Sequence, residues 1–237
     1  MKAAVHVALR MLKKIRFLGW QRYCPVCKSR LRSFEPFGVV PRPDALCPFC
    51  HSLERHRLVW LFLNRRTPLL DGSPKRMLHI APEPQLEEKF RQVPKLDYLT
   101  LDLSNPGAGI NADITHIPFS EDSFDIIYCS HVLEHVHDDR TALFEFGRVL
   151  NSDGWAVILV PVLSSTTYED PTVTNPEDRE KVYGHPDHVR KYGSDFKDRL
   201  EESGLGVTVY SSTDIVDEKN IIRLGVKQEI IFFCTQK

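Results

Sequence analysis

The 237-residue chain contains no apolar run long enough to cross a membrane. A membrane-spanning helix needs about 20 consecutive apolar residues. The first twenty residues also lack a signal-peptide pattern, because Arg10, Lys13, Lys14 and Arg16 interrupt the apolar positions and no small-residue cleavage site follows. These absences exclude a transmembrane helix and lead us to expect a cytoplasmic protein.

The net charge is also close to zero, at −1, but this value is the sum of two parts of opposite sign. Residues 1–66 carry 14 Lys and Arg against three Asp and Glu, whereas residues 67–237 carry 17 against 29. A basic head on an acidic body predicts two functional parts. Within the head, residues 1–19 have the spacing of an amphipathic helix. The apolar face of this helix could be covered by the rest of the chain, by a partner or by peripheral contact with a membrane.

Four of the six cysteines form two Cys-x-x-Cys pairs separated by 19 residues. This spacing is typical of a structural zinc site with four thiolate ligands. We therefore predict a zinc ribbon and a following helix over residues 20–70. The predicted Zn²⁺ ligands are Cys24, Cys27, Cys47 and Cys50. Arginines cluster after the last of them, and they could either hold RNA phosphates or dock the module on the acidic body.

After a Pro- and Gly-containing linker, strand-like and helix-like patterns alternate. Strands are predicted at 76–81, 96–101, 124–129, 155–160, 207–210 and 229–234. Helices are predicted at 85–92, 131–150 and 194–203, with Ser194 as an N-cap, and residues 151–154 read as a turn. Alternation of this kind predicts an α/β fold with a mostly parallel sheet.

Acidic residues follow the predicted strands, where open α/β sheets bind their ligands. Asp102 ends the second strand, about 20 residues beyond the loop of the first, and can accept hydrogen bonds from a ribose diol. Asp113 could accept from an exocyclic amine, with Ile114 packed against a flat ring.

Three ordered runs now resemble a known family. They are Asp113–Asp125, His131-Val-Leu-Glu-His135-Val and Arg148-Val-Leu followed by Gly154. Together they resemble the class I S-adenosylmethionine-dependent methyltransferases, especially the type 11 methyltransferase domain, over residues 76–163. The resemblance implies a Rossmann-like seven-stranded sheet with an antiparallel last strand, in a domain spanning residues 71–237. With its four cysteines, the chain looks like a zinc-ribbon methyltransferase.

The resemblance also implies S-adenosylmethionine as cofactor, with Asp102 at the ribose and Asp113 at the adenine. The loop after the first strand, residues 79–85, departs from the family because it has no glycine. A non-catalytic binding protein on a degenerate fold is therefore an alternative. Glu83 could reach the methionyl ammonium. The full set of predicted cofactor residues is His79, Ala81, Glu83, Asp102, Leu103, Asp113, Ile114 and Ser130.

Histidines near the predicted strand ends are the catalytic candidates. His131 begins the predicted fourth helix, and His185 and His188 lie in a long insert, residues 161–193, that should act as a lid. Arg190 is a further candidate there for substrate contact. The acceptor is predicted to be a small molecule, a sugar or a lipid-linked intermediate, with RNA as the alternative. The run His131–His135 also matches a metalloprotease pattern.

Overall fold

The computed structural model describes residues 15–38 and 40–237, which divide into two compact units. Unit 1 holds the chain up to Asp71 together with Pro84–Lys89 and Ser211–Glu229. Unit 2 holds Gly72–Glu83, Phe90–Tyr210 and Ile230–Lys237. The sequence-based boundary assigned everything from residue 71 onward to one domain, whereas the structure groups residues 211–229 with the N-terminal module.

The elements are as follows. The strands are β1 (Leu18–Cys24), β2 (Ser29–Leu31), β3 (Glu35–Phe37), β4 (Arg42–Leu46), β5 (Lys75–Ile80), β6 (Leu96–Asp102), β7 (Ile110–Asn111), β8 (Phe124–Ser130), β9 (Leu150–Leu159), β10 (Val162–Ser164), β11 (Tyr192–Gly193), β12 (Leu205–Ser211) and β13 (Ile230–Gln236). The α-helices are α1 (Glu54–Arg66), α2 (Pro84–Phe90), α3 (Asp139–Val149), α4 (Pro176–Tyr183), α5 (Phe196–Glu202), α6 (Ser212–Ile215) and α7 (Glu218–Leu224). Short 3-10 turns lie at Pro68–Leu70 and Leu133–His135.

Most of the predicted N-terminal helix, residues 1–14, lies outside the described residues. Residues 15–17 are helical, and β1 already begins at Leu18. Among the described helices, none is both long enough and apolar enough to span a membrane.

Unit 1 is organised around a fully buried arginine, Arg57 of α1. Its guanidinium donates to the carbonyl oxygens of Ser52 at 2.7 Å, Ala45 at 3.0 Å and Leu224 at 2.9 Å. Burial lowers the pKa of Arg57 below its usual value, and the opposing effects of the Cys24 and Glu54 charges offset only part of this shift. Because a buried charge must be fully hydrogen-bonded, Arg57 joins the ribbon, α1 and the end of α7 into one unit.

The end of α7 fits around Arg57 only because it carries a glycine. Gly225 has a φ of +57°, and an added Cβ would lie 2.4 Å from the Phe34 ring and 2.9 Å from Arg57 Nη2. The Phe34 ring in turn lies 4.0 Å from the Arg57 guanidinium. The space therefore excludes a larger residue, and the backbone conformation would strain any side chain placed there.

Unit 2 contains a seven-stranded sheet in the order β12-β13-β9-β8-β5-β6-β7. β5 pairs in parallel with both β6 and β8, and β13 pairs antiparallel with β9. The sequence-based fold class is thus confirmed. From β5 the chain builds the sheet first to one side, through β6 and β7, and then to the other side, through β8. The carboxyl ends of β5, β6 and β8 therefore flank the point of reversal, where such sheets bind ligands.

Three local predictions in unit 2 were wrong. No α-helix begins at His131: its φ is +55°, only a 3-10 turn follows, and α3 starts after Asp138, whose carboxylate accepts from the Thr141 amide at 2.9 Å. Ser194 does not cap α5, because its hydroxyl donates to the Ser165 carbonyl. Residues 151–154 continue β9, with a register shift beside Phe124 and Ile126.

Replacing Gly225 by Ala should destabilise unit 1. Both Gly225→Ala and the control Gly204→Ala place a side chain at positive φ, which costs about 1–2 kcal/mol. Gly204 has a φ of +89° but nothing within 4 Å of an added Cβ. We therefore expect Gly225→Ala to lose about 1–3 kcal/mol more than the control in urea unfolding, because it also overpacks its site. Equal losses would contradict this account.

Candidate functional site

The four predicted zinc ligands lie together in unit 1. The sulfur of Cys24 is 3.6 Å from that of Cys50, and the sulfur of Cys27 is 3.7 Å from that of Cys47. A tetrahedral zinc with Zn–S bonds of about 2.3 Å separates its sulfurs by about 3.8 Å. The cluster is therefore compatible with zinc binding, and it sits among buried apolar residues that include Val26 and Leu31.

The two Cys-x-x-Cys turns are built alike. The residue after each second cysteine, Lys28 and His51, has positive φ, at +59° and +58°. The residue that follows is a serine in both turns: Ser29 Oγ is 3.2 Å from Cys27 Sγ, and Ser52 Oγ is 3.2 Å from Cys50 Sγ. Each thiol donates to its serine hydroxyl here, and the deprotonated cysteine would accept from the same hydroxyl, which favours the metal-binding thiolate.

A cavity of about 280 Å³ opens in unit 2 where the strand order reverses. This volume is close to the lower end of the usual range for small-molecule sites, about 300–1,000 Å³. Of the predicted residues, Ala81, Asp102, Leu103, Asp113, Ile114 and His131 line it. The remaining lining residues are Ile80, Leu101, Ser104, Val132, His135 and Val136.

Asp102 is held rigidly at the carboxyl end of β6. Its Oδ1 accepts from the amides of Ser104 and Asn105, both at 2.8 Å. These bonds leave Oδ2 available to accept from a ligand in the cavity. Asp113, across the cavity, uses one carboxylate oxygen to accept from the Thr115 amide at 2.9 Å.

The glycine-free loop reaches a glycine-like conformation at Ala81. Ala81 has a φ of +47°, and its amide donates to the Leu101 carbonyl at 2.8 Å. A non-glycine residue in this region is uncommon. The turn after β5 therefore keeps the tight backbone path that a glycine would give, and its small side chain lines the cavity.

Three predicted cofactor residues do not line the cavity. His79 is fully buried, with its ring nitrogen 2.7 Å from the Tyr98 hydroxyl. Glu83 accepts from the Tyr128 hydroxyl at 3.1 Å. Ser130 ends β8, and its hydroxyl is buried with no hydrogen-bond partner in the described part of the chain.

His131 lines the cavity from the end of β8. Its amide donates to the Leu159 carbonyl at 2.9 Å, and its Nδ1 lies 3.3 Å from an oxygen of Glu134. Glu134 is buried, and its Oε2 has no hydrogen-bond partner among the described residues. The metalloprotease pattern needs His131 and His135 on one α-helical turn, and the structure has no α-helix there.

His185 and His188 come together with His135, which the sequence analysis named in the metalloprotease pattern but not among the catalytic candidates. The ring centroid of His188 lies 4.8 Å from that of His135 and 4.8 Å from that of His185. Burial, and to a lesser degree the neighbouring imidazoles, lower the pKa of His188 below its usual value. The sequence gave no sign of this contact between His135 and the insert histidines, because the two segments are far apart along the chain.

Arg190, a candidate substrate contact by sequence, is engaged by backbone carbonyls and carboxylates of unit 2. Its buried guanidinium donates to the carbonyls of Leu133 at 2.9 Å and His137 at 2.8 Å, and also to that of Val136. It lies 2.9 Å from a Glu169 oxygen and 3.6 Å from an Asp139 oxygen. The insert is thereby fixed to the turn that carries His135.

Comparisons with known proteins agree with this architecture. Residues 77–158 match the family model described as a methyltransferase domain. The uncharacterized methyltransferase YcgJ of Bacillus subtilis is 35% identical over 75 residues, which are 32% of this chain and 28% of that protein. The chain spans less than a third of the length of the curated relatives it matches.

Solved structures share the fold of unit 2. The YcgJ structure has a TM-score of 0.51 at 18% identity, covering 77% of this chain and 99% of that one. An S-adenosylmethionine-dependent methyltransferase from Mesorhizobium loti has a TM-score of 0.54 at 16% identity, covering 76% and 98%. The chain thus contains the α/β fold of S-adenosylmethionine-dependent methyltransferases, as its sequence motifs predicted.

Replacing Arg190 by Met should destabilise unit 2 strongly. Removing one partner from a buried ion pair costs about 3–5 kcal/mol, and here the Leu133 and His137 carbonyls would lose a buried donor while Asp139 would keep only Arg199 as a cationic partner. The control is Arg140→Met, which removes a pair with Glu202 in which both side chains are more than half exposed. Exposed pairs contribute about 0–1 kcal/mol. Urea unfolding measures both variants, and a loss at Arg190 no larger than at Arg140 would refute its anchoring role.

Proposed function

We propose that this chain, whose unit 2 has the methyltransferase fold, is an S-adenosylmethionine-dependent methyltransferase acting on a small polar acceptor. The acceptor class is a small molecule, a sugar or a lipid-linked intermediate. The observation that carries the proposal is the cavity at the strand-order reversal, with Asp102 Oδ2 left available to accept from a ligand. Six free cysteines agree with a reducing compartment, so the proposed location is the cytoplasm.

The lining residues fit the proposed cofactor. Asp102 would accept from the ribose hydroxyls, and Asp113 would accept from the adenine amine while Ile114 packs against its ring. Ala81 and Leu103 would complete the apolar walls. S-adenosylmethionine, when bound, supplies a methyl group attached to a positively charged sulfur. The cavity's two carboxylates suit a cationic ligand without phosphate groups.

The acceptor would approach from the side of His131. His131 lies at the end of β8, its side chain is about one quarter exposed, and the Glu134 carboxylate holds its ring. A positioned imidazole can take the acceptor's proton as the methyl group is transferred. His185 and His188 would contact the acceptor from the insert, because they adjoin His135, another lining residue.

The charge of the cavity favours a small acceptor over RNA. Its lining has two carboxylates and two histidines but no Lys or Arg. The nearby Arg190 and Arg199 are both engaged with Asp139 and Glu169. Since phosphate contacts by Lys and Arg supply most of the affinity for nucleic acids, this lining offers little to an RNA strand.

Unit 1 supports RNA as a second candidate acceptor. It has a cavity of about 380 Å³ whose lining includes Arg30, Arg65 and Arg223. The Arg30 guanidinium lies 4.4 Å from the ring of the exposed Trp20. Cations beside an exposed aromatic ring can hold a single strand by charge and stacking. RNA binding that weakens steeply with salt would favour this candidate.

Asp102→Ala should weaken S-adenosylmethionine binding about 10- to 100-fold, because hydrogen bonds to a charged group contribute about 1.5–3 kcal/mol. Calorimetry measures the dissociation constant. The control is Asp97→Ala at the opposite end of β6, where the carboxylate pairs with Arg76 and is largely exposed. No binding by the wild type, or equal binding by both variants, would contradict the proposal.

The acceptor is identified by transferring a tritiated methyl group to cell extract separated into RNA, protein, lipid and small-molecule fractions. Label is expected in the small-molecule or lipid fraction with wild-type protein and Asp97→Ala, and it should be strongly reduced with Asp102→Ala at a cofactor concentration near the wild-type dissociation constant. Label in the RNA fraction alone would replace the proposed acceptor by RNA.

Zinc is the proposed ion of the four-cysteine cluster. Cys47→Ser should lose one equivalent of zinc per chain and unfold at lower temperature, because metal binding contributes to folding free energy. Cys234→Ala is the control, since Cys234 is buried in β13 away from the cluster. Metal analysis and thermal unfolding measure both. Unchanged zinc content in Cys47→Ser would show that the cluster is not the zinc site.

A further inference from the structure

Three histidines of unit 2 converge at the edge of the cavity that His135 lines. His135 lies in the 3-10 turn after β8, and His185 and His188 lie in the insert just after α4. One ring nitrogen of each lies within 4.8 Å of the others. A tetrahedral zinc with Zn–N bonds of about 2.0–2.1 Å separates its nitrogens by about 3.4 Å. His135 and His185 are exposed, so small side-chain rotations suffice to close this distance.

Backbone carbonyls orient two of these rings. His135 Nδ1 lies 3.2 Å from the Asp187 carbonyl, to which it donates, and His188 donates to the Tyr183 carbonyl. Each ring therefore keeps its other nitrogen for a ligand, as is usual for histidines that bind metal. In His185, Nδ1 accepts a long hydrogen bond of 3.2 Å from the Asp187 amide, which a cation at that nitrogen would replace.

The two segments are also fixed to each other. The Val189 amide donates to the Glu134 carbonyl at 2.9 Å, and Arg190 holds the same turn from the next position. The buried Glu134 carboxylate, whose charge acts on His188, adds the negative potential that a cation site needs. The His135 and His188 rings are thus held by bonds that leave one nitrogen of each available to a cation, and His185 would exchange its bond to the Asp187 amide for the cation.

We propose that His135, His185 and His188 form a second metal site that binds a divalent transition cation such as Zn²⁺. Three imidazoles suit such ions, and a tetrahedral cation with three protein ligands keeps its fourth position open. His135 also lines the cofactor cavity, so this open position lies at the cavity's rim. Resting on the proposed function, we assign the fourth position to an oxygen or nitrogen of the methyl acceptor, so that these histidines hold the acceptor through a cation.

The test measures cation binding alone, with the full chain still carrying its cysteine-bound metal. Co²⁺ is added in equilibrium dialysis, and bound metal is counted by mass spectrometry. The wild type should gain one equivalent at tens of micromolar Co²⁺, with a visible spectrum that lacks thiolate charge-transfer bands. His188→Ala and His185→Gln should gain none. His185 is exposed, so His185→Gln remains informative if His188→Ala does not fold.

His137→Ala is the matched control, because His137 is exposed, lies two residues from His135 and is outside the cluster. It should gain the same equivalent as the wild type. No gain by the wild type, or equal gain by the His185→Gln variant, would overturn the proposal and leave the three rings as aromatic packing. Calorimetry with S-adenosylmethionine separates the two proposals, since His185→Gln should keep the wild-type cofactor affinity that Asp102→Ala loses.

Discussion

The arrangement of the candidate site depends on the burial of one guanidinium, that of Arg190. The guanidinium donates to three backbone carbonyls, those of Leu133, Val136 and His137, and to the Glu169 carboxylate, and it lies 3.6 Å from the Asp139 carboxylate. Burial lowers the pKa of Arg190, but Tyr192, Asp139 and Glu169 more than offset this effect, so it remains charged. Because a buried charge with fewer partners is costly, the insert has one favourable position against this turn. The relative placement of His135, His185 and His188 follows from that constraint, although Arg190 does not line the cofactor cavity.

Arg57 has the corresponding role in unit 1, and it changes what the charge of the N-terminal part means. Fourteen cations precede residue 67, but they do not all face solvent. Arg57 is fully buried among carbonyls, Arg22 pairs with Asp44, and Arg42 pairs with Glu54. Part of the excess positive charge therefore holds the module together. The cations that remain beside the exposed Trp20 are a smaller group than the composition suggested.

Sequence patterns predicted features that depend on local periodicity or on order along the chain. The parallel strands are continuous apolar runs, and Asp102 and Asp113 follow strands, so their common cavity could be expected. Features that depend on contacts between distant segments could not. Ser194 fits an N-cap by sequence but is recruited by the Ser165 carbonyl. The spacing of His131 and His135 fits a helix, yet the positive φ of His131 prevents one. Residues 211–229 follow β12 directly, and only their packing assigns them to unit 1.

The missing glycine after β5 bears most directly on whether the site is degenerate. A ligand-binding turn at a strand end needs a particular backbone path, and glycine is the usual residue because positive φ costs it nothing. Ala81 adopts that φ and keeps its amide bonded to β6, at a cost of about 1–2 kcal/mol. The turn therefore meets the backbone requirement of a ligand-binding strand end without a glycine. The turn has the positive φ that glycine usually supplies although it contains no glycine, and this favours a working cofactor site over a degenerate one.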